Sequence, residues 1–303
     1  MITRRMVLAG GLGLAASRAA PTVAKALTGS PWRAGVQLWM IRGLLSANLE
    51  RGLARLAELG VREVETAGTF GNAARELRAK LAAAGIRAVS AHSLLLNMND
   101  DEAKHAADYY HELGVDHVVA PIPGLAGGAN ASIAIDERVD AGLRQALSAD
   151  VWRWNADRLN LLGQRLREGG LRIAYHNHNI EFARHGKLNG MELLLKGTEP
   201  TLVDFELDAG NARLAGVDPV DLLDRFPGRF KLAHLKAWRR PYSPRSTLDY
   251  PPAAPLASDP GLARLIRALR RSGLRHAFVE QEGLNSEAAL AAIRDDLIGL
   301  ASC

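Results

Sequence analysis

Residues 61–92, VREVETAGTFGNAARELRAKLAAAGIRAVSAH, contain one complete unit of the fold. VREVET (61–66) reads as a strand. An amphipathic stretch from Ala73 to Ala84 reads as a helix stopped by Gly85, and IRAVSAH (86–92) reads as the next strand. Glycine directly after such a helix suits a left-handed cap. Both strands end on polar groups, Glu65 and His92.

The same unit recurs on either side. Upstream, RAGVQLW (33–39) is a strand, followed by a helix over Leu49–Leu59 that ends at Gly60. Downstream, a helix over Asp101–Leu113 stops at Gly114 and leads to VDHVVAP (115–121). The rhythm then breaks over Ile122–Asp150, which opens with IPGLAGGAN and holds a short helix near Glu137–Ala146. A long helix over Val151–Glu168 restores it. The remaining strands are LRIAYHN (171–177), TLVDFELD (201–208), FKLAHLK (230–236) and LRHAFVEQE (274–282). Helices follow Asp218-Pro219, cover Leu262–Ser272, and run from Ser286 to about Leu297. A second long loop, Ala237–Pro260, is rich in proline and aromatic residues. Eight strand–helix pairs predict a closed (β/α)8 TIM barrel. A doubly wound sheet is the competing arrangement, but it usually has fewer strands. Neither a GxGxxG nor a Walker loop follows any strand, so nucleotide cofactors lack their usual cradle; the glycine pairs at Gly10 and Gly127 lack the required spacing.

The 303 residues suffice for one large α/β domain or two smaller ones, with 48% apolar and 23% charged residues. The formal charge of +5 owes much to Arg4, Arg5, Arg18 and Lys25, since the first thirty residues contain no acid. The rest is close to neutral, which argues against nucleic acid as a partner. A single cysteine, Cys303, excludes an intramolecular disulfide and a zinc–thiolate site. The N-terminus, MITRRMVLAGGLGLAAS, places an arginine pair before an apolar run from Met6 to Ala16 that is short for a bilayer span. It resembles a twin-arginine export signal, with small residues suited to cleavage after Ala19 or Ala26. Residues 1–30 are therefore expected to be a leader and 31–303 a single barrel domain in the periplasm, with no stable membrane insertion of the mature chain.

Barrel enzymes place their chemistry where strands end. Here those ends carry Gln37, Glu65, His92, His176 with His178, Asp208, His234 with Lys236, and Glu280 with Glu282. Charged groups in a barrel mouth are costly unless paired or metal-bound. Closure would gather His176, Asp208, His234 and Glu280, from strands five to eight, on one side of the mouth. Two imidazoles and two carboxylates suit Mn²⁺, Zn²⁺, Fe²⁺ or Co²⁺ better than Mg²⁺. The alternative is a hydrogen-bonded wall that binds a ligand without metal.

GVQLWMIR, VETAG, SAH, YHNHNIEF, FELDAGNARLAGVDP, HLKAW and FVEQE together resemble the sugar phosphate isomerase/epimerase family, the xylose isomerase-like TIM barrels. The resemblance covers about Trp32–Ile298. It implies a divalent metal, with Mn²⁺ the first choice, held at the ends of strands five to eight. Asp208, His234 and Glu280 match the family's ligands, whereas His176 stands where many relatives have glutamate and Glu181 offers a replacement carboxylate. His178 is similar to a substrate-contacting histidine. Ala237 and Asn211 depart from residues common in the family. A homo-oligomer is the assembly seen in many relatives.

The shared chemistry removes a proton beside a carbonyl and stabilises the resulting enediolate. His178 is the first candidate base, and Glu181 the second or the group that orients an imidazole. Glu181 could instead pair with Arg184 or a nearby lysine. Lys236 would hold a substrate oxygen, or neutralise Glu206 or Glu282. His92 and Glu65 would bind hydroxyls from the opposite wall, and Glu65 is a possible second base. Trp39, Trp238 and Tyr242 offer faces for a sugar ring, with Gln37, Asn211 and Glu282 also lining the pocket. Export favours an unphosphorylated sugar, a keto-sugar or a 3-keto-glycoside, on which the reaction is isomerisation, epimerisation or elimination. A periplasmic carbohydrate-binding protein on a diverged barrel and an apurinic endonuclease-like hydrolase, helped by Arg239, Arg240 and Arg245, are the alternatives.

Overall fold

The structure, a computed structural model, describes residues 34–125, 147–239, 252–284 and 286–301. Eight parallel strands close into a barrel in chain order: β1 (Ala34–Gln37), β2 (Glu63–Ala67), β3 (Arg87–His92), β4 (His117–Ala120), β5 (Arg172–His176), β6 (Val203–Asp208), β7 (Phe230–Leu235) and β8 (His276–Val279). Surrounding them are α1 (Leu49–Glu58), α2 (Ala74–Ala83), α3 (Asp100–Leu113), α4 (Ala149–Glu168), α5 (Gly190–Gly197), α6 (Pro219–Arg225), α7 (Leu262–Arg271) and α8 (Ser286–Ala301). This is the expected TIM barrel. None of the described helices is long and apolar enough to cross a membrane.

Local chemistry sets several helix ends. Ser148 accepts a hydrogen bond from the Val151 amide, so α4 starts two residues before the expected Val151. Asn99 and Glu102 form a capping box that starts α3, and Gly114 ends it at φ 83°. Helix α5 has no counterpart among the expected elements. A second capping box, Asn189 with Glu192, nucleates it after a two-residue hairpin, Arg184–His185 with Leu188–Asn189. Gly190 lets α5 approach α4: a Cβ there would lie 2.7 Å from the Trp152 Nε1. The leader, the short helix near Glu137–Ala146, Tyr242 and Cys303 lie outside the described residues.

Alternation along the strands divides the core. Phe205, Tyr175 and Phe230 face the helices, with ring centroids 6.0–6.4 Å from Phe205 and the Arg229 guanidinium 5.0 Å over its ring. Inside the barrel, Val89, Val119, Ala174, Leu232 and Phe278 form a small apolar cluster. Gly35 makes room for it, since a Cβ there would lie 2.7 Å from the Phe278 ring. Two register steps interrupt the ladders. Val64↔Ala88 is followed by Glu65↔Ser90 between β2 and β3, and Phe205↔Phe230 by Glu206↔Leu232 between β6 and β7. Each is a bulge that re-aims the following side chains. Phe205 is fully buried; Phe205→Ala is therefore expected to cost about 3–5 kcal/mol, measured by denaturant unfolding.

Candidate functional site

Parity places the polar groups. His176 pairs in register with Glu206, Asp208 with His234, and His234 with Phe278, so these side chains share the barrel interior. Lys236 and Glu280 lie just past β7 and β8. Two storeys result.

The inner storey centres on two carboxylates. Glu65 Oε1 accepts from Gln37 Nε2 at 2.5 Å and Oε2 from Ser90 Oγ at 2.7 Å. His92 Nε2 and His234 Nε2 lie 2.9 and 2.8 Å from the same Oε1. Gln37 Oε1 accepts in turn from the Trp39 amide. Glu206 Oε2 is 3.1 Å from His92 Nε2, 3.1 Å from His176 Nδ1 and 3.2 Å from His234 Nε2. Burial alone would strip His92 of its proton, but Glu65 and Glu206 outweigh it and hold the pKa at about 9. His234 is likewise raised: burial opposes the charge, while Glu206 and Glu280 impose it. His176 is pushed down to about 4 by burial and by His234, against the pull of Glu206. Glu206 was not among the expected site residues. Its signal is the parity of DFELD: a residue two before Asp208 on one strand must face the same interior.

The outer storey opens at the mouth. Asp208 caps the short helix Ala209–Leu214, accepting from the Asn211 amide and from Asn211 Nδ2, both at 2.8 Å. Its Oδ2 lies 3.7 Å from His176 Nε2. Glu280 Oε2 is 2.9 Å from His234 Nδ1. Lys236 Nζ reaches Asp208 Oδ2, Glu280 Oε2 and Glu282 Oε1 at 2.8, 2.6 and 2.7 Å. Burial disfavours its charge, but these carboxylates hold the ammonium firmly protonated. Of its two expected acidic partners, Lys236 thus meets Glu282, whereas Glu206 sits one storey lower. Lys236 also lines a cavity of about 350 Å³ with Arg213, Trp238, Arg239 and Asp259. Trp238 is buried, its Nε1 donating to the Gly210 carbonyl. Trp39 is 49% exposed, with the Arg42 guanidinium 4.0 Å over its ring.

The turn after β5 carries the remaining candidates. The His178 ring centroid is 5.0 Å from that of His176. Burial, His176 and Lys236 push its pKa down to about 3, so the ring is neutral, and its Nδ1 has no hydrogen-bond partner among the described residues. Glu181 differs from expectation in its partners. Its Oε1 accepts from the Tyr175 hydroxyl at 2.8 Å, while Arg184 donates to the carbonyls of Gly186 and Lys187. The carboxyl is fully buried, and burial pushes it up to about 7, although Tyr175 and the backbone N–H groups of Glu181 and His178 favour the charged form. Glu181 thus braces the turn from behind and does not reach toward the His176 side of the barrel to replace a ligand.

The donor set fits a divalent ion. One ligand atom from each of His176, Asp208, His234 and Glu280 lies within 4.8 Å of all the others, and the same holds for His92, His176, Glu206 and His234. Glu206 Oε1 is buried without a hydrogen-bond partner among the described residues, which leaves an acceptor for a cation.

Two outcomes follow from this geometry. A Cβ at Gly210 would lie 2.9 Å from Lys236 Cδ, 3.1 Å from the Lys236 carbonyl oxygen and closer still to Cγ. Gly210→Ala is expected to displace Lys236 and cost about 1–3 kcal/mol, read by thermal unfolding and by a crystal structure of the variant. Glu181 has a folded pKa of about 7 against 4.5 when unfolded. Its contribution to stability is therefore full below pH 4.5 and lost as pH rises through 7. Glu181→Gln, which keeps an acceptor for Tyr175, should flatten the stability profile across that window, gaining on wild type at pH 8 in urea melts.

Residues 53–300 match the xylose isomerase-like TIM barrel family. An inosose dehydratase from Geobacillus kaustophilus (strain HTA426) is 29% identical over 194 residues, 61% of this chain and 60% of that protein. The match thus spans about three-fifths of the relative's length. A solved sugar phosphate isomerase/epimerase from Parabacteroides distasonis ATCC 8503 superposes with a TM-score of 0.68 at 23% identity, covering 89% of this chain and 93% of its own. The structure of the IOLI protein with a zinc atom superposes with a TM-score of 0.64 at 16% identity, over 89% of this chain and 98% of its own. With its closed barrel and the matched span, the chain belongs to the xylose isomerase-like TIM barrel family.

Proposed function

We propose that the protein is a divalent-metal-dependent isomerase, epimerase or lyase that removes a proton beside the carbonyl of an unphosphorylated sugar or keto-sugar, a class that includes 3-keto-glycosides. The observation that carries this reading is the convergence of His176, Asp208, His234 and Glu280 within 4.8 Å, beside Lys236 and the neutral His178 ring. The similar inosose dehydratase supports it, because elimination of water next to a carbonyl begins with the same proton abstraction.

His176, Asp208, His234 and Glu280 would hold the ion, which when bound supplies Lewis-acid stabilisation of charge on a substrate oxygen. Mn²⁺ is the proposed metal; the zinc in the IOLI structure fits the same donor chemistry. Around it, the imidazole of His178 is the proton acceptor in this reading, because it is neutral and its Nδ1 has no hydrogen-bond partner among the described residues, although the burial that keeps it neutral also weakens it as a base. Lys236 Nζ donates a hydrogen bond to the carbonyl or leaving oxygen. Asn211 holds Asp208 in place through two hydrogen bonds. Tyr175 and Glu181 fix the turn that aims His178. In a 3-keto-glycoside the proton on C2 is acidified by the ketone, and its loss expels the aglycone from C1. The arginine pair Arg4–Arg5 ahead of a short apolar run supports a periplasmic setting reached by the twin-arginine route.

One feature favours a second reading, a metal-free carbohydrate-binding protein: Lys236 already neutralises Asp208 and Glu280. Metal analysis separates the two. Protein prepared with Mn²⁺ is expected to retain the ion in the wild type and lose it in His234→Ala; absence of metal from folded wild type would favour binding alone. His178→Gln should keep the metal and reduce turnover of keto-glycosides by about 100-fold or more. Failure of the metal-loaded wild type to isomerise or cleave any keto-glycoside would refute the lyase assignment.

A further inference from the structure

We propose that the barrel holds a second metal position, one storey below the first, in which His92, His176, Glu206 and His234 coordinate a nitrogen-preferring transition-metal dication of the Zn²⁺ or Co²⁺ kind. Three imidazole nitrogens surround one carboxylate oxygen here. His92 Nε2, His176 Nδ1 and His234 Nε2 lie 3.1, 3.1 and 3.2 Å from Glu206 Oε2. A tetrahedral site with bonds of about 2.0–2.1 Å has edges of about 3.3 Å. The three contacts are close to the edge length such an ion requires, and one ligand atom from each of the four residues lies within 4.8 Å of the others. The buried Glu206 Oε1 has no hydrogen-bond partner among the described residues. Glu65, tied to Gln37 and Ser90, holds the same His92 Nε2 and His234 Nε2 at 2.9 and 2.8 Å, so an ion on those nitrogens would take the place of the protons they share with Glu65 and Glu206.

The two positions share two rings through opposite nitrogens. His176 turns Nδ1 to Glu206 and Nε2 to Asp208. His234 turns Nε2 to Glu206 and Nδ1 to Glu280. A neutral imidazole has one lone-pair nitrogen while the other carries hydrogen. Each ring thus serves one storey at a time, and the chain takes one ion at either level, not two together. The donor sets also differ. The lower has three nitrogens and one oxygen, which suits Zn²⁺ and Co²⁺; the upper has two of each, which tolerates Mn²⁺ better.

Co²⁺ is the probe, because its visible spectrum reports coordination number. In Asp208→Asn/Glu280→Gln, which removes the upper carboxylates, one Co²⁺ per chain should remain, with the intense visible band of a four-coordinate ion. Adding Glu206→Gln or His92→Asn to that background should weaken Co²⁺ binding by about 100-fold, with far-UV circular dichroism unchanged. A folded Asp208→Asn/Glu280→Gln protein that binds no Co²⁺, or undiminished binding after loss of Glu206 or His92, would overturn the proposal. Should these variants not fold, anomalous diffraction from wild-type crystals soaked in Co²⁺ decides. A peak within bonding distance of His92 Nε2 and Glu206 supports the lower position, and a peak confined to Asp208 and Glu280 overturns it. The site shares ligands with the proposed catalytic centre but not its chemistry: inactivity on sugars leaves the Co²⁺ results intact, and an ion found only in the upper storey leaves the catalytic reading standing.

Discussion

A closed eight-stranded barrel permits only alternate residues inside, and each charge placed there must find a partner. That constraint governs this molecule. Glu65, Glu206, Asp208 and Glu280 are buried in an interior that would otherwise reject them. They are accommodated because β3, β5 and β7 present His92, His176 and His234 on the same parity, with Lys236 following β7. Remove the alternation and the pairs separate; remove the pairs and the carboxylates would shed their charge or leave the core. The bulges beside Glu65 and Glu206 refine this arrangement. Without the extra residue on β3 and on β7, Ser90, His92 and His234 would not face the same space as the two acids.

Much of this is visible in the chain itself, for identifiable reasons. The strands are short apolar runs ending in polar residues, and the barrel follows from eight of them. His176 and Asp208 end their strands, His234 is one residue from the end of β7 and Glu280 follows β8, so a rule about strand ends finds them. Glu206 lies inside a strand, and only the parity rule applied to DFELD points to it. Helix α5 is hard to see because its start depends on the Asn189–Glu192 capping box after a two-residue hairpin, not on a long apolar period. The partner of Glu181 is hidden for another reason. Arg184 is near in sequence, but the turn aims the carboxylate at Tyr175, on the helix-facing side of β5. Bulges leave no mark in composition, so the convergence of three imidazoles on one oxygen is a tertiary fact.

The outer storey and the turn after β5 divide the labour between charge and support. Lys236 concentrates positive charge among Asp208, Glu280 and Glu282, while Asn211 and Asn177 fix the backbone and side chain of Asp208. Asn177 both accepts from the Asp208 amide and donates to its carbonyl, joining the ends of β5 and β6. Gly210 keeps the space through which the Lys236 stem passes, and Trp238 anchors the far side by donating to the Gly210 carbonyl.

The apolar cluster of Val89, Val119, Ala174, Leu232 and Phe278 separates the inner storey from the Asp204–His117–Arg172 group at the strands' opposite ends. It acts as a stopper. Among the described residues, apolar side chains fill the barrel at that level, and the polar groups of both storeys face the mouth. A vessel entered from its mouth imposes an order: whatever lodges deeper arrives first and departs last, and whatever is seated above it becomes the lid.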